Sequence, residues 1–370
     1  NTTTQQNNTK DDKILKSVTP IFNFIHNENH AVDFNREQLL PEMYNNEGPK
    51  MITADINNDN ILDIYICGAK GQSGKLFISS KNNIFKEVTQ PFLANAKSED
   101  TNAIFLDSDN DGDLDLYVTS GSKEFSKFDF SLNDRLYVND GNENFTISNT
   151  VLPFKTPIST SVATAYDYDQ DGDLDIFLGE RFKVETYGLP ASGYILKNNG
   201  KNNFELIQPK ALQNIGLITD AAWEDFNNDG VKDLIIVGEW MPISIFINQN
   251  GTLVNKTEDY GFKDTNGFWK TLKLADVDHD GKTDIIVGNK GTNTFFKEGL
   301  KMFVSDFDNN GSAEQIICHQ LNDKYYPILD RDELIAQLPS LKQKLLYYKD
   351  YANADINSIF TKEQLNKAYK

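Results

Sequence analysis

Short apolar runs recur along the chain in a fixed order, separated by polar loops. Six times an apolar stretch leads into an acidic loop (MITA, AIFL, ATAY, AAWE, LKLA, MFVS), and six times a β-branched or aromatic run leaves it (IYIC, LYVT, IFLG, LIIV, IIVG, QIIC). These compositions favour strands. A third run follows in the first five repeats (KLFIS, RLYVN, YILKN, ISIFIN, NTFFK) and a fourth in the first four (FKEVT, FTISN, FELIQ, LVNKT). Asp140-Gly141, Asn199-Gly200 and Asn250-Gly251 stand between third and fourth runs. Such pairs favour two-residue hairpin turns, because they tolerate positive φ. Four antiparallel strands repeated several times predict an all-β fold, a β-propeller of six or seven four-stranded blades.

The acidic loops open at Asp55, Asp107, Asp167, Asp225, Asp276 and Asp306, in steps of 52, 60, 58, 51 and 30 residues. The longer steps fit one blade each. The sixth repeat comes early and lacks a clear fourth strand. Residues 1–15 are polar and read as a flexible tether, 16–329 as the propeller and 330–370 as a helical insertion or extension. In the last segment Asp330 and Thr361 are placed to cap helices, and Pro339 interrupts the helical spacing. The strand-like PIFNFIHN from Pro20 is expected to complete a terminal blade.

The loop pattern is D-x-[DN]-x-[DN]-G-x-x-[DE]. Position 1 is the aspartate named above. Position 3 holds Asn57, Asp109, Asp169, Asn227, Asp278 and Asp308, and position 5 holds Asp59, Asp111, Asp171, Asp229, Asp280 and Asn310. Position 9 holds Asp63, Asp115, Asp175, Asp233, Asp284 and Glu314. Oxygens at alternate positions of a tight loop converge, and hard oxygen ligands in that number suit Ca²⁺. Position 6 is glycine in five loops and Asn60 in the first, as a sharp turn requires. An EF-hand would need Glu at position 12 and flanking helices, but Val118 and Leu178 occupy that position within strand-like runs. Up to six Ca²⁺ ions are therefore expected as structural cofactors.

Charge bears on this reading. The chain has 55 acidic and 36 basic residues, a net −19, and 21 of the carboxylates lie at loop positions 1, 3, 5 and 9. Six Ca²⁺ ions would bring −19 to −7. Without metal, such crowded carboxylates repel or take up protons, so loop folding and metal binding are expected to be coupled. Extracellular Ca²⁺ modules bind at roughly 10⁻⁴–10⁻³ M, above what the cytosol supplies, which places the protein outside the cytoplasm. Basic residues do not cluster, so nucleic acid is not an expected partner. No apolar stretch is long enough for a membrane-spanning helix. The chain starts at Asn1 rather than Met, as expected of a mature form whose leader has been removed, with a lipid-anchored cysteine just upstream as the expected tether.

The six loops with their flanking strands resemble the FG-GAP or VCBS repeats of integrin α-subunit propellers and many bacterial surface proteins. More narrowly, REQLLPEM from Arg36, DRLYVNDG from Asp134, GEWMPISIF from Gly238, DFDNNGS from Asp306 and RDELIAQLPSLKQKLLYYKDYA from Arg331 resemble the CRTAC1-like VCBS-repeat proteins of Bacteroidetes. The resemblance implies a secreted or surface-anchored binding protein with calcium at the six loops. It supplies no ligand.

In a propeller the connections between second and third strands lie on the face opposite those between first and second. That face is expected to meet a protein or glycan through Phe125, Phe128, Phe130, Arg181, Phe182, Tyr187, Glu239, Trp240, Phe268 and Trp269. Against this stands mutual packing of the same side chains to cover the ring. No catalytic motif is present and a non-catalytic role is expected. The alternatives are a glycan- or ester-cleaving enzyme using Glu180 or Glu239, and a subunit of an outer-membrane uptake or secretion complex. Cys67 and Cys318 sit at equivalent small-residue positions and are expected as buried free thiols. GAKGQSGK from Gly68 lacks the first glycine of a phosphate loop.

Overall fold

The computed structural model describes residues 24–370 except 83, 89, 90, 149–151, 292, 295, 297 and 298. The first four repeats each form the expected antiparallel sheet of four strands in chain order. Blade one holds β1 (Met51–Ala54), β2 (Asp63–Ile66), β3 (Lys75–Ser80) and β4 (Ile84–Val88). Blade two holds β5 (Asp100–Leu106), β6 (Asp115–Ser120), β7 (Arg135–Asn139) and β8 (Phe145–Ile147). Blade three holds β9 (Ser159–Tyr166), β10 (Asp175–Phe182), β11 (Gly193–Asn198) and β12 (Phe204–Ile207). Blade four holds β13 (Leu217–Glu224), β14 (Asp233–Met241), β15 (Ser244–Asn248) and β16 (Leu253–Asn255). The fold is thus the mostly-β propeller that the repeat predicts.

The first strands of successive repeats pack side by side, β1 on β5, β5 on β9, β9 on β13, and β13 on β17 (Gly267–Ala275). Apolar side chains fill the spaces between blades. Cys67, Leu76 and Tyr65 meet Leu116 and Tyr137 between the first two blades. Leu106 and Tyr117 meet Ile176 and Leu196 between the next two, and Phe177 and Ile195 meet Ile236 and Phe246 between the third and fourth. Burial on both faces explains why the second strands read as unbroken apolar runs rather than alternating ones.

The first strands of blades two to four and β17 each carry a bulge at one equivalent point. The pairing registers pass over Thr101, Ser161, Thr219 and Lys270, each six residues before the first loop aspartate. A bulged residue is freed from the ladder and its side chain re-aimed. Three of these side chains clasp the next blade. Thr101 Oγ1 donates to the Thr160 carbonyl at 2.5 Å, Ser161 Oγ to the Ile218 carbonyl at 2.7 Å, and Thr219 Oγ1 to the Trp269 carbonyl at 2.8 Å.

The last two repeats depart from expectation. Among the described residues repeat five forms β17 and β18 (Asp284–Asn289) and no further strand. The expected third strand NTFFK is not formed at its described residues Asn293, Thr294 and Phe296, and Phe295 and Lys297 lie outside the described residues. Glu239 pairs with Phe268 and Met241 with Gly267, which joins β17 to blade four. The sixth repeat is a three-stranded sheet of β19 (Leu300–Ser305), β20 (Glu314–Leu321) and β21 (Lys324–Pro327). Met302, Val304 and Ile317 pack on Phe182, Tyr187 and Leu217, across the second-to-third-strand connections of blades three and four. The other side of this sheet carries the helical segment, α1 (Arg331–Gln337), α2 (Tyr348–Ala352), α3 (Ile356–Ile359) and α4 (Lys362–Lys367), through Phe303, Ile316, Leu334, Ile356 and Phe360. Asp330 and Thr361 cap α1 and α4 with reciprocal bonds from Glu333 and Gln364. Residues 1–23, which include the expected tether and the start of PIFNFIHN, lie outside the described residues, and Phe24–Asn27 form no strand. Cys67 and Cys318 are free and buried.

Candidate metal centre

Each acidic loop folds around its first aspartate. The position 6 N–H donates to that carboxylate in all six loops, at 2.7–3.1 Å. Two left-handed residues make the curl. Position 6 has φ between 67° and 97°, which glycine or Asn60 accommodates. Position 4, which the pattern leaves variable, is also left-handed in every loop, at φ 58–63°, and is occupied by Asn58, Asn110, Gln170, Asn228, His279 and Asn309. The recurrence of asparagine there is a signal that sequence reasoning passed over.

The position 9 carboxylate has a second task. It accepts the N–H of loop position 2 in all six loops at 2.9–3.2 Å. In blades one to four its other oxygen accepts an N–H from the third strand, Ser79, Asn139, Asn198 or Asn248, at 2.6–2.8 Å. One buried carboxylate thus ties loop, second strand and third strand together.

The carboxylates converge. Three acidic groups bring ligand oxygens within 4.8 Å of one another in four loops: Asp107, Asp109 and Asp111; Asp167, Asp169 and Asp175; Asp276, Asp278 and Asp284; Asp306, Asp308 and Glu314. The first and fourth loops, where Asn57 and Asn227 replace a carboxylate, form no such acidic triplet among the described residues. Burial pushes Asp115 up to about 6 and Asp175 and Glu314 up to about 7, and neighbouring loop carboxylates add to the effect. Crowded carboxylates held away from water call for a cation.

Buried oxygens test the fit. Asp107 Oδ1, Asp109 Oδ1, Asp169 Oδ1 and Glu314 Oε1 are shielded from solvent and accept no hydrogen bond. Such orphaned acceptors are rare unless an ion or water completes them. In the third loop the Lys197 ammonium already contacts Asp169 and Asp171, so a cation is drawn to that position even from the protein itself. Hard oxygen donors of this kind suit Ca²⁺.

On the opposite face most of the expected partner-binding residues turn inward. Arg181 is 3% exposed and Glu239 fully buried, and the guanidinium lies 2.9 Å from the carboxylate. Tyr187 donates to Glu239 at 2.8 Å, and Lys270 and Glu47 complete the network. Burial raises the Glu239 carboxyl, but Arg181 and Lys270 outweigh it and hold the group down at about 2. Phe182 and Tyr187 pack on Tyr44, Phe125 packs with Leu132 and Val184, and the Trp269 indole donates to the Thr265 carbonyl. Burial removes Arg181, Phe182, Tyr187 and Glu239 from any recognition surface, because the sixth sheet and residues 40–47 cover them, and Phe125 is buried separately against Leu132 and Val184. Phe128 and Phe130 are 69% and 81% exposed, and Trp240 and Phe268 are half-buried.

Residues 55–118 and 225–287 match the family model described as FG-GAP-like repeat. No curated protein matches the chain. A solved structure described as the structural basis of specific recognition of non-reducing terminal N-acetylglucosamine by an Agrocybe aegerita lectin is similar over 74% of this chain and 74% of that chain, at 17% identity and a TM-score of 0.41. Within its blades, and with acidic loops joining their first and second strands, the chain carries FG-GAP-like repeats in a β-propeller architecture.

Proposed function

We propose that this protein is a calcium-stabilised, non-catalytic β-propeller that works outside the cell and binds a protein or glycan through the face opposite the calcium loops. The observation that carries the reading is the set of converging carboxylates with orphaned buried oxygens in repeated, identically folded loops. Asp107, Asp109 and Asp111, with their counterparts in the other loops, would hold Ca²⁺, which supplies the positive charge that lets the loop close. Calcium modules of the extracellular kind typically bind at roughly 10⁻⁴–10⁻³ M, which supports an extracellular or cell-surface location, in keeping with the sequence resemblance to bacterial surface proteins. Glu180 and Glu239, the carboxylates a propeller enzyme would draw on, are engaged by Lys183 and by Arg181 with Lys270. Glu239 is fully buried and held ionised by its cations, which favours binding over turnover there.

Thermal melting with calcium and with EDTA, followed by metal analysis, tests the reading. A ligand at 100-fold above its dissociation constant adds about 2.7 kcal/mol per independent site, so the calcium-loaded midpoint is expected many degrees higher. An unchanged midpoint with no metal recovered would remove both the scaffold role and the argument for location.

A further inference from the structure

Each blade has two faces, and the core clusters tell which residues sit on each. The residue two after the position 9 acid and the residue at loop position 2 point toward the following blade. Tyr65 and Ile56 enter the core shared by blades one and two, Phe177 and Tyr168 that of blades three and four, and Ile235 and Phe226 that of blade four and repeat five. The residue four before the first loop aspartate points toward the preceding blade, as Ala103, Ala163, Ala221 and Leu272 do. A forward face thus meets a backward face at four successive junctions.

At the two ends of the series these faces are open to water. Ile286, the forward residue of β18, is 46% exposed, whereas Tyr65, Tyr117, Phe177 and Ile235 at the same position are at most 1% exposed. Val277, at loop position 2 of repeat five, is 59% exposed, whereas Ile56 is 2% exposed. Met51, the backward residue of β1, is 60% exposed, whereas Ala103, Ala163, Ala221 and Leu272 are at most 8% exposed. Among the described residues no first strand packs beyond β17, and β5 is the first strand that packs along β1. The sixth sheet, next along the chain, packs across blades three and four instead. The hydroxyl clasp stops at the same place, because Lys270 at the bulge of β17 turns its ammonium to Glu42, Glu47 and Glu239.

We propose that copies of this chain associate head to tail, the forward face of repeat five in one copy docking on the backward face of blade one in the next. The repeat supplies the match. Val277 and Ile286 stand where Phe226 and Ile235 stand in blade four, and Met51 and Ile64 stand where Leu272 and Ile285 receive them in repeat five. The contact between copies therefore continues an interface that the chain already makes four times within itself. Terminal repeats that stay single carry a polar outer face, whereas apolar side chains left in water at two matched ends favour association. The two surfaces differ, so the contact can repeat, closing into a ring or extending as a filament. This assembly goes beyond the binding-module reading and does not depend on it.

Sedimentation velocity of the calcium-loaded full chain, from about 1 to about 200 µM, tests the proposal, since self-association follows protomer concentration. The average mass is expected to rise from one chain to two or more across that range. Met51→Glu spoils the backward face alone and Ile286→Glu the forward face alone, so each variant by itself is expected to stay monomeric. An equimolar mixture of the two is expected to form a one-to-one complex, because each supplies the face that the other lacks, and that complex also shows both variants to be folded. A wild-type chain that remains monomeric throughout would overturn the proposal. So would association of either variant alone, the mark of a symmetric contact, or a mixture that yields no complex although both variants melt like the wild type.

Discussion

Thr219 Oγ1 donates to the Trp269 carbonyl at 2.8 Å, and so fastens the first strand of blade four to the first strand of repeat five. The donor stands at a bulge, where the ladder has released it, and the acceptor immediately precedes the next bulge. Thr219→Val keeps the shape but removes the donor. A destabilisation of about 1 kcal/mol is expected, read as a lower urea midpoint at unchanged slope. An unaffected midpoint would show that the clasp adds nothing to stability.

Position 9 and position 3 of the loops differ in kind. Asp233 accepts N–H groups from Phe226 at 3.0 Å and Asn248 at 2.8 Å, whereas among the described residues Asp278 accepts only the N–H of Asp280 within its own loop. Asp233→Ala is therefore expected to cost about 3 kcal/mol or more whether or not calcium is present. Asp278→Ala should lower the melting midpoint only in calcium, with its difference from the wild type vanishing in EDTA. Equal sensitivity of both variants to chelation would contradict this division of labour.

His279 occupies the left-handed fourth position of its loop at φ 63°, and Gln170 does so in blade three at φ 61°. Since only Gly and, less readily, Asn adopt this conformation routinely, His279→Val is expected to cost about 1–2 kcal/mol. His279→Asn should be neutral or slightly stabilising. Calorimetric melting of the three proteins in saturating calcium decides it, and a harmless valine would refute the claim of backbone strain.

Glu239 sets a pH dependence. Its folded carboxyl, held down at about 2 by Arg181 and Lys270 against the effect of burial, lies below the ordinary glutamate value of about 4.3. A depressed carboxyl contributes stability that is present above the unfolded value and lost as pH falls toward the folded one. Glu239→Gln takes the buried carboxylate from Arg181 and the half-buried Lys270, which keep Glu47 and Glu42, and is expected to cost about 1–3 kcal/mol near neutrality. The gap between wild type and variant should narrow as pH falls from about 5 to about 2. A gap constant across that range would mean the carboxylate is not ionised in the folded protein.

Much of this architecture is written in the chain. Asp107 to Asp115 and their equivalents announce the loops, and the β-branched runs behind them announce the second strands. The bulges at Thr101, Ser161 and Thr219 leave no mark that hydrophobic patterning can detect, because a single extra polar residue in a strand looks like ordinary alternation. Arg181 and Glu239 read as loop residues fit for a partner, and only long-range packing of Met302 and Val304 over Tyr187 turns them inward. Lys324–Pro327 form a strand that Lys-Tyr-Tyr-Pro, with its terminal proline, does not advertise, and the described residues Asn293, Thr294 and Phe296 of NTFFK form no strand although one is expected there. Trp240 and Phe268, by contrast, were legible as surface aromatics and do line a cavity.

The hydroxyl clasp has a direction. Every repeat from the second to the fourth carries a donor aimed forward, and every repeat from the third to the fifth offers an acceptor one residue ahead of its own bulge. A segment that starts just ahead of one acceptor and ends before the next, such as one beginning at Thr160, therefore offers its carbonyl to the preceding repeat and its hydroxyl to the following one. Gene duplication of such a segment would yield a copy able to dock onto its parent at once, so rings of different circumference are reachable from one ancestral module without inventing new contacts.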